Sequence, residues 1–132
     1  MSSARQRRLY LCEVIEMSKF MVLLYAPESA LARPGTPEFD AQNAAYGAVY
    51  EDFSKRGAFV HGDPLGASGS ATSVRMRSGQ QQDTRGPATQ TAEQLIGYYV
   101  LECADQKEAS NLAATIPCAA IGTVEVRPVF VM

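Results

Sequence analysis

His61 is the single histidine of the chain, and histidine is the side chain whose unperturbed pKa lies nearest neutrality. It precedes Asp63 by two residues, across Gly62. An imidazole oriented by a carboxylate can take up and return a proton, so His61 and Asp63 form the candidate catalytic pair. The alternative is a strand-end histidine with no part in chemistry. Arginines offer something different. Arg75, Arg85 and Arg127 keep their charge and can clamp a carboxylate with two hydrogen bonds, which makes them candidate ligand-binding residues and unsuitable proton carriers. Tyr46 and Tyr98 join the ligand-binding set, because a buried phenol wants a partner. With Tyr50 and Tyr99 they also suit a core or an interface.

Other chemistries lack their parts. The three cysteines, Cys12, Cys103 and Cys118, show no metal-ligand spacing, and one histidine cannot complete a cluster. They read as reduced thiols packed as small hydrophobes, and neither a metal nor another cofactor is expected. Gly66-Ala67-Ser68-Gly69 has neither the helix nor the lysine of a phosphate-cradling loop. A formal net charge of -2 supplies no attraction to a phosphate backbone, so nucleic acid is not an expected partner. No run approaches the roughly 20 apolar residues that span a membrane. The basic start is followed by apolar residues broken by Glu13 and Glu16, unlike a signal peptide. The expectation is a cytoplasmic protein without membrane contact.

The elements that must position these residues follow from pattern. With 132 residues, 46% of them apolar, the chain suffices for one domain with its own core. Residues 1–16 read as an N-terminal extension and 17–132 as the domain, since Met17-Ser18-Lys19-Phe20 looks like a second start with a strand directly behind it. Residues 20–25 are an unbroken apolar run that suits a strand with apolar groups on both faces. Thr36-Pro37-Glu38 marks a helix start, and Phe39, Tyr46, Val49, Tyr50 and Phe53 form one stripe of a helix ending near Arg56, with Gly57 as its stop. Residues 58–61 predict a short strand. Residues 71–77 alternate, with Val74 and Met76 on one side and Ser73, Arg75 and Arg77 on the other. Extra pairing is expected around residues 80–90, and residues 98–101 form another two-faced strand. Asp105 and Glu108 give a capping-box-like start to a second helix whose inner stripe is Ala109, Leu112, Ala113 and Ile116, closed by Pro117. Residues 123–129 form the last strand.

The order is βαββαβ. The fold class is therefore α+β: a ferredoxin-like antiparallel sheet with two helices on one face. Two helices cover only one face, yet the strands at 20–25 and 98–101 are apolar on both. A homodimer packed through the open face is expected. Arg75, Glu125 and Arg127 are expected on that face too. They make either an ion-pair network that fixes the dimer register or the anion-holding wall of a small pocket.

Thr84-Arg85-Gly86-Pro87, then Thr91, Glu93-Gln94-Leu95, Gly97-Tyr98-Tyr99, Ile116-Pro117 and Val124-Glu125-Val126-Arg127-Pro128 resemble the YCII-related proteins, specifically their DGPF-domain branch. The resemblance spans roughly residues 17–129 and implies a dimeric α+β barrel. It implies two kinds of function. Some YCII-related proteins look like enzymes, among them a dehydrochlorinase with a histidine–aspartate pair in the dimer cleft. Many DGPF members are linked to extracytoplasmic-function sigma factors. This chain departs from the pattern. The Asp-Gly-Pro-Phe of the branch is here Arg85-Gly86-Pro87-Ala88, Tyr46 stands where some relatives place a histidine, and Gln90 and Ala92 replace a glutamate and a lysine. A carboxylate base at that motif is absent, and Arg85 either holds an anion instead or is a solvated loop arginine. Two function classes follow. One is a small-molecule-binding protein or cofactor-free enzyme (elimination, isomerisation or cyclisation of an acidic or phenolic compound). The other is a non-catalytic accessory or regulatory protein. Whether the chain is an enzyme stays open.

Overall fold

The computed structural model describes residues 17–131. The expected extension at residues 1–16, with Cys12, lies outside the described residues. Strand β1 (Ser18–Ala26) leads through a loop to helix α1 (Pro37–Lys55), then to strand β2 (Phe59–Pro64). Strands β3 (Thr72–Arg77) and β4 (Gln80–Arg85) precede the long strand β5 (Gln94–Cys103). Helix α2 (Gln106–Ala113), a short helix α3 (Cys118–Ile121) and strand β6 (Thr123–Pro128) complete the order. The antiparallel four-stranded sheet runs β2-β5-β1-β6, and β3 and β4 make a separate two-stranded sheet. With that hairpin set aside, the chain is βαββαβ with its first strand central, as the ferredoxin-like reading requires.

Local chemistry sets the boundaries. Thr36 caps α1 by accepting from Phe39 N at 3.2 Å, with Pro37 at the first helical position. Gly57 ends it at φ 70°, a conformation that costs glycine little. Asp105 caps α2 by accepting from Glu108 N at 2.8 Å, while the Glu108 carboxylate accepts from Ala104 N at 3.3 Å. Phe20, Val22, Leu24 and Ala26 of β1 are buried in one core with Val49 and Phe53 of α1, Ala109, Leu112 and Ala113 of α2, and Cys118 of α3. All three helices therefore cover one face. The opposite face carries the other parity of each strand: Met21 and Leu23 of β1, paired with Val100 and Tyr98 of β5 and with Arg127 and Glu125 of β6. These apolar side chains are half-buried in the single chain.

Two expectations need correction. A third helix, α3, joins the two foreseen. Arg75 does not share a face with Glu125 and Arg127, because among the described residues β3 pairs only with β4, in a separate sheet. The turn explains this. Ser78 (φ 53°) and Gly79 (φ 75°) are the two residues between Arg77 and Gln80. Two successive positive φ values make the tight hairpin turn whose twist matches its strands, so β3 pairs with its immediate neighbour. On β3, Val74 (58% exposed) and Met76 (59%) face outward, while Ser73 and Arg75 are half-buried.

Candidate functional site

His61 and Asp63 stand on β2, opposite Val100 and Tyr98 of β5. The ladder is irregular between Phe59 and His61, which leaves Val60 exposed and aims both His61 and Asp63 to the open face. Gly62 between them faces the helix side. A Cβ there would lie 2.8 Å from the Tyr99 ring and 2.9 Å from the Tyr98 carbonyl, so only glycine lets β2 approach this closely.

Three predicted residues meet there. Tyr98 Oη lies 2.7 Å from His61 Nδ1 and donates to Asp63 Oδ2 at 3.3 Å in the alternative arrangement. His61 Nε2 lies 3.5 Å from the same Asp63 oxygen. The phenol has one proton, so two states exist. With Nδ1 bare, Tyr98 donates to His61. With Nδ1 protonated, His61 donates to the phenol oxygen and the phenol proton turns to Asp63. Desolvation, then the charge of Asp63 and the hydrogen bond to it, push the Tyr98 pKa above the usual phenol value, so Tyr98 keeps the proton it needs for this exchange. His61 and Asp63 side chains are 62% and 59% exposed, open to an incoming molecule.

The arginines are elsewhere. Arg127 lies on β6, the far edge of the sheet, and is ion-paired with Glu125; that contact raises its pKa further. Arg75 lies on the hairpin. Arg85 ends β4, donates from Nε to the Gly69 carbonyl at 3.2 Å, and borders a shallow cleft with Glu28. The Glu28 carboxylate accepts from Ser68 Oγ at 2.5 Å and Ser68 N at 2.9 Å, and these bonds hold its pKa down. The cleft thus carries both signs of charge. Tyr46 is on the helix side, where burial pushes its pKa up to about 12. Sequence reasoning missed that Tyr98 joins His61 to Asp63. The signal was parity, Tyr98 and Val100 alternating against His61 and Asp63, but the irregular step at Val60 hides the register.

A family model described as the YCII-related domain matches residues 18–132. The chain belongs to the YCII-related family. An uncharacterised protein of Rhizobium meliloti is 29% identical to this YCII-related chain over 111 residues, which cover 83% of the chain and 90% of that protein. Among the described residues of this family member, no helix is long and apolar enough to cross a membrane.

Proposed function

We propose that this YCII-related protein is a homodimer that binds a small acidic or phenolic molecule on the open face of its sheet and moves a proton on it without a cofactor. Elimination, isomerisation and cyclisation all need such a step. One observation carries the reading: Tyr98 Oη sits 2.7 Å from His61 Nδ1 and within reach of Asp63. A histidine whose gained proton is balanced through a phenol by a carboxylate is a general base that can also return the proton as an acid. A second copy packed over Met21, Leu23 and Val100 would turn the open face into a cleft and strengthen each of these interactions by excluding water. The Arg85-Gly86-Pro87-Ala88 segment supports a place in the DGPF branch with a changed motif.

Proton transfer can be tested before any product is known. A panel of small phenols, carboxylates and keto acids is incubated with the protein in D2O, and loss of exchangeable C–H signal is followed by NMR. At least one compound should exchange faster with the protein, and His61→Ala should lower that enhancement by about 10²–10⁴-fold. An unchanged rate in His61→Ala would remove the cluster from the mechanism.

A second reading, the non-catalytic accessory protein, draws on the outward-facing Val74 and Met76 of the hairpin. Exposed apolar pairs of this kind suit contact with another protein. In that case the whole panel would leave the His61 ring signals unmoved.

A further inference from the structure

The sheet has a second concavity on the side facing the helices. A cavity of about 420 Å³ lies between α1 and strands β1, β2 and β5. Two glycines line its sheet side. Gly97 pairs with Leu24 and Gly62 with Tyr99, so both glycines face the helix side. Two positions of adjacent strands thus place no side chain beneath α1. The cavity is bounded by Phe39 and Tyr46 of α1, by Tyr99 and Ile96 of β5, and by Leu31 and Leu65 of the loops. It opens to solvent beside Tyr50 and Leu65, which are 49% and 44% exposed. Its volume lies within the roughly 300–1,000 Å³ of small-molecule sites.

The charge of the wall selects the ligand. Among the described residues, Asp63 is the one ionisable group other than tyrosines that lines the cavity, and its carboxylate is turned to the other face, toward Tyr98 and His61. Burial keeps the phenols of Tyr46 and Tyr99 protonated well past neutrality. Phe53 and Phe59 hold Tyr99 edge-on at ring separations of 5.7 and 6.3 Å, so the aromatic wall is pre-formed. Gln42 uses its carbonyl oxygen to accept from Ala32 N at 3.1 Å, which pins the loop after β1 to α1 and leaves its amide protons to offer a guest. A cavity of about 150 Å³ lined by apolar groups takes up benzene, so this one has room for one or two rings.

We infer that the helix-side cavity is a second binding site, separate from the His61 cluster, for an uncharged compound of one or two rings bearing a hydrogen-bonding group. It does not depend on the proton-transfer reading. An anion would lose its hydration with no cation among the described lining residues to replace it.

The test uses a matched pair of probes, neutral 4-fluorobenzyl alcohol and anionic 4-fluorobenzoate, followed by 19F NMR with the whole chain. The alcohol should bind, give contacts to the Tyr46 and Tyr99 rings, and outbind the benzoate at those rings by about tenfold or more. Leu31→Trp, which fills the cavity from its loop wall, should weaken the alcohol by about tenfold or more. Ile96→Phe fills it from the sheet and serves the same purpose if the first variant fails to fold. His61→Ala should leave the alcohol affinity unchanged, so that failure here and failure of the open-face reading are told apart. No binding of the alcohol, equal binding of the benzoate at the same rings, or indifference to both filling variants would overturn the inference.

Discussion

At the scale of single residues, Tyr98 decides whether the His61–Asp63 pair acts as a unit. The two carboxylate contacts are long, at 3.3 and 3.5 Å, whereas the phenol–imidazole contact is 2.7 Å. Tyr98→Phe keeps the ring and removes the link. It should lower His61-dependent exchange in D2O by about tenfold or more, with the fold unchanged by circular dichroism. Asp63→Asn should lower the same rate, because the imidazolium loses its balancing charge. Tyr46 carries a different prediction. Its pKa rises from 10 in a free phenol to about 12 through burial. The unfolded chain therefore loses this proton first as the pH climbs. The stability tied to Tyr46 is fully present below pH 10 and is lost as the pH rises toward 12. Urea midpoints measured across that window should fall, and less steeply in Tyr46→Phe.

At the scale of elements, the site depends on how closely β2 approaches β5. Gly62→Ala would put a methyl group 2.8 Å from the Tyr99 ring. It should destabilise the fold by about 1–3 kcal/mol, and it should separate His61 from Tyr98, which urea unfolding and the His61 ring signals report independently. Asp105→Ala removes the acceptor of Glu108 N and should cost about 1 kcal/mol without touching those signals. The two helices were legible because their chemistry is local: Thr36-Pro37 and Asp105–Glu108 announce the starts, and Gly57 an end. Residues 80–85 were legible only as a region of extra pairing. All six are polar and exposed, so nothing but the partner strand defines them. His61 and Asp63 could be read as a pair from their spacing. Their union with Tyr98, 35 residues further from Asp63, rests on a ladder with one irregular step, and no composition rule supplies that register. Placing Arg75 with Arg127 failed for the same reason, since parity along one strand says nothing about which sheet the strand joins.

At the scale of the whole molecule, helices bury one face of the sheet and leave Met21, Leu23 and Val100 half-covered on the other. The homodimer proposed above would complete that burial. Leu23→Arg, at the middle of β1 on the face opposite the core, should turn it into a monomer in sedimentation velocity at micromolar concentration while the melting transition stays cooperative. A wild-type monomer under the same conditions would remove the proposed cleft. There is also a consequence of strand order. Among the described residues, β2 lies at the border of the sheet with β5 as its one neighbour, whereas β5 is held on both sides. Border strands fray more readily than interior ones. The imidazole and the carboxylate therefore ride on a border strand, and the phenol between them is anchored to an interior one. Backbone amides of residues 60–63 should trade hydrogen for deuterium sooner than those of residues 98–101, and a guest seated across both strands should slow the first group more than the second.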